Sequence, residues 1–230
     1  MSMNYITYDN CNPRLKSAID WGREVLFNNL SGVDCWIAGG ALRSFFSNQE
    51  PTDIDVYCQD QSTHAKILTQ LEAKLKLKSH FTNRNTVTLG EFDIVKHFYS
   101  DPFECIDDFD FTICCAAVTK DELYIHTDFF QDLAARELIC NNTQHSVKSI
   151  KRAFKYQSYG FTLPDKELIR LTKNCRDFDY KAWEEEQKSA NLMEDENEFF
   201  ANLTFEPVNV AAPIPGRRGR RSGINLLNRY

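Results

Sequence analysis

The chain predicts an α+β fold: a mixed sheet flanked by helices, then a short helical neck and a flexible basic C-terminal tail. Three observations carry this expectation. Short apolar runs of strand type alternate with segments of helical period up to residue 145. From residue 147 the apolar positions follow helical spacing only. From residue 207 the composition turns to Pro, Gly and Arg, which bury too little surface to fold alone. A length of 230 residues with 42% hydrophobic content suits one ordinary domain plus an extension. The expected division is a head over 1–145, a helical neck over 146–190, and an acidic linker with a basic tail over 191–230.

Taken in order, Asn12-Pro13 reads as a helix start, with the proline in the first turn. Leu15, Ala18, Ile19, Gly22, Leu26 and Leu30 continue it at helical spacing. Residues 35–38 read as a short buried strand that ends in Gly39-Gly40, and a short helix over 41–47 follows. Residues 53–58 form the second strand. Residues 63–76 form an amphipathic helix with Ile67, Leu68, Leu71 and Leu75 inward. Residues 86–89 and 92–95 alternate around Gly90-Glu91 as a hairpin. Strands are expected over 111–118 and 123–125, and a helix over 130–138. In the neck, Val147, Ile150, Phe154 and Phe161 share one face, while Lys148, Lys151, Arg152 and Lys155 stack into a basic stripe. Helices over 164–173 and 180–189 complete the reading.

Composition removes several function classes. A net charge of −6 gives no global basic field for nucleic acid. No run reaches the ~20 apolar residues of a membrane span, and residues 1–12 lack the apolar core of a secretory signal. The 8 cysteines contain no Cys-x-x-Cys pair, so reduced, buried thiols in a cytoplasmic protein are expected rather than a zinc site. The five histidines show no ligand spacing.

The chemistry gathers in Ile37-Ala38-Gly39-Gly40-Ala41-Leu42-Arg43 and Thr52-Asp53-Ile54-Asp55-Val56. On a strand, Asp53 and Asp55 lie on one face, with Ile54 turned into the core. Adjacent carboxylates repel, and a shared cation relieves the repulsion. Mg²⁺ suits carboxylate oxygens and is commonly held together with substrate phosphates. The Gly-Gly turn lets the backbone come close to a phosphate, and the guanidinium fork of Arg43 matches phosphate oxygens.

Gly39-Gly40, Arg43 and Asp53-x-Asp55 resemble the active-site signature of the DNA polymerase β-type nucleotidyltransferase superfamily. Later blocks resemble the head domain of the bacterial poly(A) polymerase and CCA-adding enzymes. They are Asp110-Phe111-Thr112-Ile113-Cys114-Cys115-Ala116, then Asp128-Phe129-Phe130-Gln131-Asp132-Leu133-Ala134-Ala135-Arg136, then Arg152-Ala153-Phe154-Lys155-Tyr156 with Gly160-Phe161. The four ordered blocks cover residues 33–163. The chain departs from the family pattern at Ser44, where an acid is usual. It departs again at Asp108 and Phe109, where two arginines are usual, and at Cys114, where an asparagine is usual.

The resemblance implies a template-independent nucleotidyltransferase that uses Mg²⁺ or Mn²⁺. It would move a nucleoside monophosphate from an NTP to an acceptor hydroxyl, with a tRNA-like RNA 3′ end as the expected acceptor. A two-metal site needs a third carboxylate, and Asp93 is the expected one, because its apolar neighbours make an idle carboxylate there costly. Glu91 competes for that role. Asp110, Asp132, Arg136, Arg152 and Lys155 would shape the nucleotide pocket with Gly39, Gly40 and Arg43. An ordinary i, i+4 ion pair explains Asp132 and Arg136 equally well. The chain is short for a full CCA-adding enzyme, so a compact version from a virus or mobile element is expected. The alternative is a catalytically weak or inactive member of the fold within a larger assembly, bound to a protein partner through the basic cluster at Arg217-Arg218-Gly219-Arg220-Arg221. No membrane partner is expected.

Overall fold

A computed structural model describes residues 3–7, 12–76, 81–82, 85–176 and 181. Residues 1–178 form one compact unit, and 179–230 form a second of which only Lys181 is described. The helix expected over 180–189 and the tail over 191–230 therefore lie outside the described residues, apart from Lys181.

Among the described residues, eight strands form one sheet in the order β1-β8-β7-β2-β3-β6-β5-β4. They are β1 (Met3–Thr7), β2 (Cys35–Ala38), β3 (Ile54–Cys58), β4 (Phe81–Thr82), β5 (Thr86–Leu89), β6 (Phe92–Val95), β7 (Ala116–Val118) and β8 (Glu122–His126). β3 and β6 run parallel and every other pairing is antiparallel. A parallel pair needs a crossover. Here α3 (Gln61–Leu75) and the strands β4 and β5 supply it.

β2 is buried at all four positions because it is a central strand covered on both faces. β3 alternates, with Ile54, Val56 and Cys58 buried and Asp55 and Tyr57 half-buried. Helix α1 (Pro13–Val25) starts as its sequence predicts: the Asn12 side chain accepts hydrogen bonds from the backbone N–H groups of Arg14 and Leu15 at 3.1 and 3.0 Å. It packs Ala18 and Ile19 into a core cluster with Ile37, Leu42, Val56, Ile67, Leu71, Ile94, Val118 and Phe129.

Three local expectations are corrected. The strand expected over 111–118 is two pieces, a 3₁₀ turn (Thr112–Cys114) followed by β7. The Cys114 and Cys115 N–H groups turn back to the carbonyls of Phe111 and Thr112, at 2.9 and 3.0 Å. The helix expected over 130–138 is α5 (Phe129–Ala135), stopped at Arg136, whose φ of 55° is left-handed. Helix α4 (Pro102–Asp107) was not expected, nor were β1 and β4. Its start is nonetheless written in the chain: Asp101 caps the Glu104 N–H at 2.9 Å and Pro102 follows at the first helical position.

Beyond the sheet, α6 (Ser146–Ser158) and α7 (Asp165–Arg176) pack on the head. Ala153, Phe161 and Leu171 join Phe111, Ile113, Leu138 and Cys140 in one cluster. Buried Glu167 on α7 accepts the backbone N–H of Cys140 at 3.2 Å and so ties α7 to the segment after α5. No helix among the described residues is long and apolar enough to cross a membrane.

Candidate active site

The site forms where β2 ends. Gly39 has φ 84°, a conformation that side-chain-bearing residues rarely adopt. It caps α2 (Gly40–Phe46), and its N–H donates to the Ala116 carbonyl at 3.0 Å. A Cβ on Gly39 would touch the Phe109 ring at 3.4 Å. One on Gly40 would lie 3.7 Å from a terminal nitrogen of Arg43. The buried Arg43 guanidinium thus folds back over the Gly-Gly turn. It stacks on two rings, 4.8 Å from the Tyr156 centroid and 5.5 Å from that of Tyr159.

Asp53 is exposed, just before β3; Ile54 is buried in the core; Asp55 is half-buried. Across the parallel β3–β6 pair, Asp55 is in register with Asp93. Their neighbours Ile54, Val56, Phe92 and Ile94 all enter the same core cluster, so the two carboxylates share the other face. Asp93 accepts a hydrogen bond from the Thr88 hydroxyl on β5 at 2.6 Å, and Asp53 accepts one from the Thr52 hydroxyl. Burial pushes the Asp55 carboxyl up to about 7, and the charges of Asp53 and then Asp93 add to the rise. Arg152 and Lys155 oppose it.

Three carboxylates are hard oxygen donors, and they match a divalent cation in donor chemistry and in charge. As the side chains stand, no three of His, Cys, Asp and Glu close on a common point among the described residues. Asp53 and Asp93 instead point at their threonines.

One cleft is lined by Gly39, Gly40, Arg43, Asp53, Asp55, Asp110, Arg152 and Lys155, together with Thr52, Tyr57, Phe109, Cys114, Tyr156 and Tyr159. Asp110 is buried and accepts from the Arg152 guanidinium at 2.9 Å. The Cys114 sulfur and the Tyr156 hydroxyl are 3.3 Å apart, and burial holds the thiol above its ordinary range.

The remaining expected residues lie elsewhere. Asp93 stands behind Asp55 and is not a lining residue. Asp132 is buried and accepts from the Thr112 hydroxyl at 2.6 Å, while burial raises its carboxyl. Arg136 donates to the Tyr159 carbonyl at 3.3 Å. The i, i+4 pair between these two is not formed, because the left-handed turn at Arg136 takes its side chain off the helix.

The aromatic lining was missed by sequence reasoning. A signal for part of it existed: Arg152, Lys155, Tyr156 and Tyr159 are spaced i, i+3, i+4, i+7, one face of a single helix.

A family model for Gabija anti-defense 2 family proteins matches residues 12–136, just over half of the 230. A curated relative, Gabija anti-defense 2 of Bacillus phage SPbetaL7, is 29% identical over 170 residues, covering 70% of this chain and 42% of the relative. Among solved structures, a Thermotoga maritima CCA-adding enzyme complexed with tRNA superposes with a TM-score of 0.51 and 17% identity, covering 76% of this chain and 46% of that one. A CCA-adding enzyme complexed with CTP gives 0.51 and 17%, covering 77% and 46%. The chain thus spans less than half the length of these relatives, and its fold is the one seen in CCA-adding enzymes.

Proposed function

The chain belongs to the Gabija anti-defense 2 family, and from that premise we propose that it is a nucleotidyltransferase serving anti-defense. It would transfer a nucleoside monophosphate from an NTP to an acceptor hydroxyl, with an RNA 3′ end as the first candidate acceptor. The observation that carries this reading is one cleft lined by Asp53, Asp55, a Gly-Gly turn and three cations, with Asp93 in register beside Asp55 and outside the lining. Asp53, Asp55 and Asp93 would hold Mg²⁺ or Mn²⁺, which when bound supplies charge neutralisation for the triphosphate and acidity for the acceptor hydroxyl. The chain's own groups do the rest. Arg43, Arg152 and Lys155 bind and orient phosphate oxygens. The Gly39-Gly40 backbone lets them approach without a Cβ in the way. A relative from a Bacillus phage fits an origin in a virus or mobile element.

A second reading has specific support. The Asp110–Arg152 pair is closed on itself, Arg43 is stacked on two tyrosines, and Phe109 rests on Gly39 where an arginine is usual in the resembling enzymes. These features suit a fold retained for binding rather than turnover, acting in anti-defense through a protein partner.

Incubation of the protein with each α-labelled NTP, Mg²⁺ or Mn²⁺ and total RNA separates the two. Label transferred to RNA and lost with Asp55→Ala supports the enzyme. Absence of label in every mixture, together with absence of metal-dependent NTP binding, refutes it.

A further inference from the structure

Building on the nucleotidyltransferase reading, we propose that Tyr159 is the stacking platform for the base of the bound nucleotide. Arg136 holds this platform in place, so the cleft prefers purines by stacking and does not read base edges.

Tyr159 lines the cleft yet remains 40% exposed. One side of its ring is backed by the Arg43 guanidinium at 5.5 Å, and Tyr156 lies 6.4 Å away. A cation behind an aromatic ring leaves the remaining ring surface for a flat, polarisable partner, and a base is such a partner. The backbone around it is fixed from three directions. The Tyr159 N–H and the Phe161 N–H both donate to the Tyr156 carbonyl, at 3.0 and 3.1 Å. Phe161 is anchored in the cluster beneath α6. The Tyr159 carbonyl accepts from Arg136 at 3.3 Å. The next residue, Gly160, has φ 86°, and a Cβ there would fall 2.8 Å from the same Arg136 nitrogen. A glycine is therefore required for this arginine to reach the carbonyl. Arg136 acts through Tyr159 and is a positioning residue.

Two of the side chains able to read a base edge near Tyr156 and Tyr159 already hold partners. Asp110 and Arg152 bond one another, and Cys114 faces the Tyr156 hydroxyl. A base entering beside Tyr159 meets the exposed part of its ring. Stacking strength grows with ring area, hence the preference for purines.

The test is equilibrium binding of ATP, GTP, CTP, UTP and tripolyphosphate to the full chain with Mg²⁺. ATP and GTP are expected to bind within about threefold of one another and more tightly than CTP and UTP. Tyr159→Ala should weaken both purine nucleotides roughly 5- to 100-fold, erase the ranking and leave tripolyphosphate unchanged. Tyr159→Phe should keep the wild-type ranking. Arg136→Ala should weaken the purine nucleotides in the same direction without moving tripolyphosphate, which a merely structural role would not do. A strong ATP-over-GTP preference in the wild type, or an intact ranking in Tyr159→Ala, overturns the proposal alone. Failure of every triphosphate and of tripolyphosphate to bind overturns the nucleotidyltransferase reading beneath it as well.

Discussion

Replacing Asp55 by Asn should stabilise the metal-free protein, and the gain should depend on pH in a defined way. The Asp55 carboxyl is raised from its ordinary 3.8 to about 7 in the folded state, first by burial and then by Asp53 and Asp93. Between those two values the folded protein binds a proton that the unfolded chain has released. Stability from this group is therefore lost as pH rises through that window. The full displacement corresponds to about 4 kcal/mol. Partial solvation of Asp55 and relaxation around it lower this to a working range of about 2–4 kcal/mol at pH 8. Asparagine keeps the shape and cannot ionise, so it reproduces the protonated form at every pH. The difference in unfolding free energy between Asp55→Asn and wild type, measured by denaturant titration in EDTA, should be near zero at pH 4 and reach that range at pH 8. For a unit of this size it appears as a Tm difference of about 5–15 °C. Taking the difference cancels the titrating groups that do not interact with Asp55. A flat difference across pH would refute the reasoning that three carboxylates crowd one face of β3 and β6. Adding Mg²⁺ at pH 8 should then raise the wild type and leave Asp55→Asn unmoved, because only the carboxylate cluster gains from the ion.

Three other perturbations test separate links. Asp53→Ala should lower nucleotidyl transfer by at least ~10²-fold with the fold intact by circular dichroism, and full activity would remove Asp53 from the chemistry. Gly39→Ala should cost about 1–3 kcal/mol, because φ 84° is strained for alanine; chemical denaturation reads it. Leu171→Ala, fully buried on α7, should cost about 2–5 kcal/mol in one cooperative transition, whereas an early separate transition would mean that α7 unfolds apart from the sheet.

The fold was legible wherever period and punctuation agreed. Asn12-Pro13, the Gly39-Gly40 turn, the alternation of 54–58 and the Gly90-Glu91 hairpin each carry a local reason, and each appears where that reason places it. The register of Asp55 with Asp93 was not legible in the same way. It depends on a parallel pairing across a crossover, which no local signal specifies. The run 111–118 failed for a different reason. A continuous apolar stretch does not say whether it is strand or turn, and the deciding contacts come from elsewhere: Thr112 is bonded to Asp132 on α5 and to the Ile139 carbonyl.

The cleft divides along the same line. Its charged members could be named from spacing and resemblance, because chemistry restricts which residue types can hold phosphate or metal. Its aromatic members could not, since a tyrosine on a helix is as well explained by packing as by a ligand. Tyr156 serves both purposes, stacking on Arg43 and packing edge-on against buried Phe111 at 5.8 Å. The departures at Phe109 and Cys114 looked in the sequence like losses from a nucleotide site. In three dimensions the Phe109 ring lies 3.4 Å from where a Cβ on Gly39 would stand, and the Cys114 sulfur lies 3.3 Å from the Tyr156 hydroxyl. Phe109 lines the cleft with Tyr57, Tyr156 and Tyr159, so four rings stand beside its carboxylates and cations. A ligand that fits this cleft has to match its rings as much as its carboxylates.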